Sequence, residues 1–222
     1  MKILISGNLG YVGPNVCRHL KTVIPESEIT GLDIGYFSSR ISHFGRMGDT
    51  YCDFQIYKDL RDIDIEFFKT FDCIVILSAI SNDPMGKRFE KVTNEINFLA
   101  VKKLIESFLP LSNKTLVFAS SCSMYGASDG KAKSEADKLN PLTAYAKSKV
   151  SVEKVLEKSK FGSGSSATSL RFATACGMSD RLRLDLVLND FVASAIINNK
   201  IEILSDGTPW RPLINVKDMA RA

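Results

Sequence analysis

The run Met1-Lys2-Ile3-Leu4-Ile5-Ser6 feeds directly into Gly7-Asn8-Leu9-Gly10-Tyr11-Val12-Gly13, and this junction constrains the fold more than any other stretch. A short apolar run followed by a glycine-rich turn and a helical pattern reads as strand, turn and helix. Further apolar runs suited to buried strands recur at Glu28 to Asp33, Cys73 to Leu77, Thr115 to Ser120 and Thr168 to Phe172. Helical periodicity falls between them at Val12 to Val23, Asp59 to Lys69, Phe89 to Leu109 and Ala144 to Lys160. That alternation predicts an α/β protein with a parallel sheet covered by helices, because parallel strands need crossover connections.

The glycine turn has a physical purpose if a dinucleotide binds over it. Gly7 allows the tight turn, Gly10 lets a pyrophosphate approach the backbone, and Gly13 lets the helix pack closely, with Tyr11 and Val12 carried between them. The helix N-terminus then faces the phosphate charge. The alternative is an ordinary strand-to-helix turn. Twenty residues after Gly13, Asp33 closes the second strand, where its carboxylate suits the ribose hydroxyls and favours NAD over NADP. Arg40, nearby, is the one basic residue set against that preference.

Composition narrows the class. With 222 residues, 45% hydrophobic and 24% charged, the chain is long enough for a substantial core and is neither collagenous nor of low complexity. A net charge of +4, spread along the chain, argues against nucleic acid as partner. No apolar run approaches the roughly 20 residues needed to span a bilayer, so no membrane association is expected. Lys2 leads straight into a core strand with no room for a signal peptide, which predicts a cytoplasmic location. Cys17, Cys52, Cys73, Cys122 and Cys176 are widely spaced and read as reduced core thiols. With only His19 and His43 beside them, no metal is expected.

Gly162-Ser163-Gly164-Ser165-Ser166 reads as a surface loop before the strand that ends at Phe172. Beyond Phe172 the pattern becomes irregular, then helical from Asp185 to Asn199, then a short strand at Ile201 to Leu204, with Asp218 placed to cap a final helix. Residues 1–172 are therefore expected to form an NAD-binding Rossmann domain, and 173–222 a partial substrate-binding lobe that the chain leaves incomplete.

Tyr145-Ala146-Lys147-Ser148-Lys149 places a phenol and an ammonium four residues apart in a helical segment, on one face. A free tyrosine titrates near ~10, and a neighbouring cation lowers that value. The combination of Gly7-x-x-Gly10-x-x-Gly13, Asp53-Phe54 after a third strand, Leu77-Ser78-Ala79, Asn97 with Ala100 and Leu104, Ser120-Ser121-Cys122-Ser123-Met124-Tyr125-Gly126, and Tyr145 with Lys149 resembles the extended short-chain dehydrogenase/reductases, in the NAD-dependent nucleotide-sugar epimerase/dehydratase branch. The resemblance covers nearly the whole chain.

That resemblance implies a doubly wound Rossmann-type sheet, Ser121, Tyr145 and Lys149 as catalytic residues, Asp53 and Phe54 near the adenine, Leu77, Ser78 and Ala79 lining the cofactor, and Asn97 bracing its side of the site. It implies substrate contacts at Ser121, Ser123, Thr174, Asn189 and Arg211, the last two for a diphosphate; Thr174 stands where many relatives have asparagine. Cys122 and Ser123 stand where dehydratases carry acids, which disfavours elimination chemistry. The expected reaction is epimerisation of a nucleotide sugar through a transient keto-sugar, begun by Tyr145 as phenolate. The alternatives are a nucleotide-sugar dehydrogenase, reductase, dehydratase or decarboxylase, and, in another class, a non-catalytic dinucleotide-binding sensor or scaffold. A homodimer is implied by resemblance alone.

Overall fold

Side chains of the first strand, β1 (Lys2–Ser6), alternate between two buried layers: Leu4 joins one hydrophobic cluster, Ile3 and Ile5 the other. A strand buried on both faces requires helices above and below it. The computed structural model describes residues 1–37, 51–81, 88–127, 130–203, 205–207 and 210–222. In chain order its elements are β1, α1 (Gly13–Val23), β2 (Glu28–Asp33), β3 (Phe54–Tyr57), α2 (Ile65–Lys69), β4 (Cys73–Ile76), α3 (Glu90–Asn94), α4 (Val101–Phe108), β5 (Thr115–Ser121), α5 (Ala144–Lys158), β6 (Ser166–Phe172), β7 (Thr174–Cys176), α6 (Val187–Asn198), β8 (Leu213–Asn215) and α7 (Val216–Arg221).

The main sheet is parallel throughout, in the order β3-β2-β1-β4-β5-β6. This is the doubly wound α/β architecture expected. Winding reverses between β1 and β4, so the loops leaving their carboxyl ends part and open a crevice there. Val16 and Cys17 of α1 fill the layer beneath Ile3, Ile5, Ile29 and Val75, with Ala220 of α7 packed alongside. On the opposite face Phe68, Leu104, Phe108 and Val152 close over Leu4, Leu32, Ile74 and Phe118.

Four expectations are corrected. The segment from Asp59 to Lys69 is not one helix: Asp59 accepts from Arg61 N and Asp64 from Glu66 N, so two caps divide it into a 3-10 turn at Leu60–Asp62 and α2. The third strand follows Asp53 instead of preceding it. Residues 201–203 form no strand; β7 pairs with β8 instead, and Leu204 lies outside the described residues. Asn215, whose side chain accepts from Lys217 N, caps the last helix, leaving Asp218 in its first turn. Residues 162–165 form the expected loop, held by Gly162 N to Leu109 O and Ser165 Oγ to Leu111 O, and Ser166 already opens β6.

Candidate active site

Helix α5 starts where Thr143 Oγ1 accepts from Ala146 N, and its periodicity sets Tyr145, Lys149 and Glu153 on one stripe. Lys149 is 3% exposed and donates from Nζ to Ala119 O at 2.6 Å. The same nitrogen lies 5.3 Å from the Tyr145 ring centroid and 4.6 Å from that of Phe118. Burial pushes the Lys149 ammonium down from 10.5 to about 7, and the Glu153 carboxylate opposes the fall. Glu153 is therefore the group that favours the charged form of Lys149, whose nitrogen lies close enough to the Tyr145 ring for that charge to act on a phenolate.

The bond to Ala119 pins α5 against the carboxyl end of β5, and Ser121 is two residues further on the same strand face. Ser121 Oγ accepts from Ser123 N at 3.2 Å and so starts the 3-10 turn Cys122–Tyr125. Ser120, pointing the other way, gives its hydroxyl to Glu153 Oε1 at 2.5 Å. Arg171 of β6 grips the same carboxylate at 2.7 Å and reaches Tyr125 OH at 2.8 Å. Glu153 holds the Arg171 guanidinium above its ordinary range. Burial raises the Cys122 thiol above its ordinary range, with a backbone hydrogen bond and the charge of Arg211 acting against it. Buried Ser123 Oγ finds no hydrogen-bond partner among the described residues.

Across the crevice, Gly7 has φ +84, and a Cβ there would stand 2.6 Å from Ser78 N. Gly13 lies directly against the backbone of Asn8, with no space for a side chain. Leu77 N bonds to Ser6 O, and Ser78 Oγ meets Ser6 Oγ at 3.0 Å, so the loop after β4, with Ala79 next in line, underlies the turn. Asn97 fixes that loop further along: its amide accepts from Ile80 N at 2.8 Å and donates to Ile80 O at 3.0 Å. Asn97 sits in a π-helical turn, Glu95–Ala100, between α3 and α4. Asp33 accepts from Leu9 N and Gly35 N; burial raises its carboxyl, while those bonds and the charge of Arg181 oppose the rise.

Residues beyond Phe172 reach the crevice by polar contacts. Tyr11 OH donates to Gly177 O, and Ser179 Oγ donates to Tyr11 O at 2.6 Å. Thr174 N bonds to Pro212 O, placing Thr174 beside Arg211, whose side chain is exposed.

A model described as "NAD dependent epimerase/dehydratase family" matches residues 3–222. The chain belongs to this family. UDP-glucose epimerase YtcB of Bacillus subtilis (strain 168), a protein described as uncharacterized, is 28% identical over 228 residues, covering 100% of this chain and 71% of that one. UDP-glucose 4-epimerase of Lactobacillus helveticus is 26% identical over 240 residues, covering 100% and 70%. MoeE5, solved in complex with UDP-glucose and NAD, has the same fold, with a TM-score of 0.82 at 24% identity over 100% of this chain and 70% of that one.

A family of NAD-dependent enzymes requires a dinucleotide cradle, and the residues present fit one. Gly7 and Gly13 leave the turn bare, Val12 offers α1 no side-chain cap, and the first turn of α1 carries no acid. Buried Asn15 Nδ2, in that turn, has no partner among the described residues. Two expected contacts are corrected. Asp53 and Phe54 stand at the opposite end of β3: Asp53 is tied to Lys21 Nζ at 2.6 Å and Ile29 N at 2.7 Å, and Phe54 faces solvent. At the crevice end of that strand are Asp59 and buried Leu60, an Asp-apolar pair that the sequence reading passed over. The Asn189 amide is already spent on Gly177 N, Tyr11 OH and Arg183 O, which makes it an internal clamp and leaves it no donor for a diphosphate. Arg40, Thr208 and Pro209 lie outside the described residues. Sequence reasoning also missed Glu153, although a glutamate four residues after Lys149 on one helix was the available signal.

Proposed function

We propose that this chain is an NAD-dependent nucleotide-sugar epimerase. The observation that carries the reading is the Tyr145-Lys149-Glu153 stripe pinned against β5 beside Ser121. Ser121 orients a sugar hydroxyl, and Tyr145, as phenolate, takes its proton. Lys149 stabilises the phenolate, and Glu153 keeps Lys149 charged. When bound, NAD supplies the acceptor and then the donor of hydride. Ser123 Oγ, buried and unsatisfied among the described residues, supports a second sugar contact. Arg211 and Thr174, adjacent at the rim, form the substrate side, with the guanidinium suited to a diphosphate.

Two features favour epimerisation over elimination. Cys122 and Ser123 follow Ser121 where an acid would be needed, and burial pushes the Cys122 thiol up, away from acid-base work at neutral pH. Residues 1–172 serve as the cofactor domain and 173–222 as substrate-side structure. We also propose a homodimer paired across the groove lined by Phe98, Lys102, Val155 and Lys158; light scattering at the monomer mass would remove that assignment. No described helix is long and apolar enough to cross a membrane.

The deciding experiment incubates the protein with NAD and a panel of nucleotide sugars, separates the products by chromatography and follows NADH absorbance. Interconversion of epimers without net NADH is the expected result. Steady NADH production assigns a dehydrogenase, and a dehydrated product assigns a dehydratase. Absence of any product with NAD bound assigns a non-catalytic role.

A further inference from the structure

Two cysteines distant in sequence meet beside the glycine turn. Cys17, on α1 one turn after Gly13, and Cys52, on the segment entering β3, bring their sulfurs to 3.7 Å. Cys17 is buried and Cys52 half-buried. Cys52 Sγ also accepts from Asn8 Nδ2 at 3.5 Å, which ties the pair to the glycine turn. The hydrogen bond with Cys52, and burial after it, push the Cys17 thiol well up, and Cys52 is the less buried of the two sulfurs, the one an oxidant from solvent meets first. The residues beside them are clamped together. Arg18, which follows Cys17, lies 4.6 Å over the ring of Tyr51, which precedes Cys52, and holds Asp180 through two 3.0 Å bonds. Burial pushes the Cys73 thiol up to about 11 and raises that of Cys122, which disfavours the thiolate at both.

We infer that Cys52 and Cys17 form a peroxide-reactive dithiol whose oxidation to a disulfide alters the adjacent glycine turn. In the first step the Cys52 thiolate attacks hydrogen peroxide; an S–O bond forms, the O–O bond breaks and hydroxide leaves, giving a sulfenic acid. In the second the Cys17 sulfur attacks Cys52 Sγ; the S–S bond forms, the S–O bond breaks, and the oxygen departs as water with the Cys17 proton. Two thiols and one peroxide become one disulfide and two waters. The sulfurs, 3.7 Å apart, close by about 1.7 Å to reach the ~2.05 Å of a disulfide.

The movement withdraws Cys52 Sγ from Asn8. Asn8 belongs to the glycine turn: its backbone carries Gly13, and its amide meets Gln55 at 2.6 Å and lies over Gly31. Oxidation therefore loosens the turn and weakens dinucleotide affinity. That consequence rests on the cofactor reading above, whereas the dithiol chemistry does not.

The test treats the whole chain with hydrogen peroxide or dithiothreitol, maps peptides without reduction and titrates NAD into both forms. The expected map shows Cys17 joined to Cys52 with loss of two hydrogens, and NAD binds about tenfold more weakly after oxidation, reversed by dithiothreitol. Cys17→Ser should leave Cys52 as a sulfenic acid trapped by dimedone. Cys52→Ser, at the more exposed position, should leave Cys17 unmodified and NAD affinity insensitive to peroxide. First oxidation at Cys122, Cys73 or Cys176, or oxidation of Cys17 in Cys52→Ser, overturns the dithiol. A disulfide formed with NAD affinity unchanged overturns its coupling to the turn. Reduced protein that binds no NAD refutes the cofactor reading, while the peptide map still decides the dithiol.

Discussion

Up to Phe172 the chain builds a core of large apolar side chains in two layers around the sheet, whereas beyond it most of the large apolar side chains stand in water. Leu4, Ile5, Ile74, Leu104 and Phe108 are at most 1% exposed, while Ile196, Ile197 and Trp210 are 75%, 73% and 91% exposed. Apart from α7, where Val216 and Met219 are buried and Ala220 packs on the cluster around α1, the later residues meet the earlier ones through polar contacts: Tyr11 with Gly177, Arg18 with Asp180, Arg183 with Ser81. One region is a frame with its own core, carrying the acid-base stripe. The other, α7 apart, is held to that frame by directional bonds, the kind of attachment that lets a substrate side adjust without disturbing the chemistry. If the division is real, substitutions in the frame should cost most.

The largest effect is expected at Tyr145. Tyr145→Phe keeps the ring beside Lys149 and removes only the proton acceptor, so turnover should fall by about 10³-fold or more with NAD affinity unchanged. Single-turnover assays alongside NAD titration measure this. Residual activity within tenfold of the parent would break the link between the stripe and the chemistry.

Next is the buried carboxylate. Glu153 faces Arg171, Ser120 and the charge of Lys149, and Glu153→Leu strands two cations with little water. A loss of about 3 kcal/mol in unfolding free energy is expected, larger than for any single contact beyond Phe172. Glu153→Gln, which keeps the Ser120 bond, should lose less stability but shift the activity profile to lower pH, because Lys149 then gives up its proton sooner.

Lys149 itself gives the comparison a pH axis. Its folded-state value, about 7, lies below the ordinary 10.5, so between those values the unfolded chain keeps a proton that the folded chain has released. Stability then rises with pH across that window, by at most about 1.4 kcal/mol per unit. Lys149→Met should abolish the rise, as read by urea midpoints at pH 7 and 9. An identical slope in the variant would show that another group titrates there.

Much of the frame was legible because its signals are local. β1 and β2 match their apolar runs residue for residue, and the Tyr145-Lys149 spacing has meaning on any helix. What stayed hidden has a physical reason. β3 is an edge strand whose apolar residues Phe54 and Tyr57 face solvent, so no buried pattern marks it, and the Asp-apolar pair was read at Asp53 instead of Asp59. The Cys17–Cys52 contact joins residues 35 apart and depends on how α1 lies over β2 and β3, which no spacing encodes. Asn189 has helix-surface neighbours in sequence, yet its partners are Tyr11, Gly177 and Arg183, one of them 178 residues away.

Asn189 therefore tests the join between the two regions. Asn189→Ala removes three hydrogen bonds at a nearly buried site, and about 1–2 kcal/mol of local stability should go with them. Hydrogen exchange should accelerate in α6 and at Gly177 while β1 to β5 keep their protection. Uniform acceleration across the sheet would mean that the two regions unfold as one unit and would dissolve the contrast.

The smallest effect is expected at Trp210. A tryptophan 91% exposed contributes little packing in this chain, so Trp210→Ser should change unfolding free energy by no more than about 0.5 kcal/mol. Its place next to Arg211 makes the substrate side the place to look for a consequence: KM for a nucleotide sugar should rise while NAD affinity and the urea midpoint hold. A midpoint shift worth more than ~1 kcal/mol would show Trp210 to be packed in solution. The region after Phe172 would then have a core of its own, and the difference between the two regions would be one of degree.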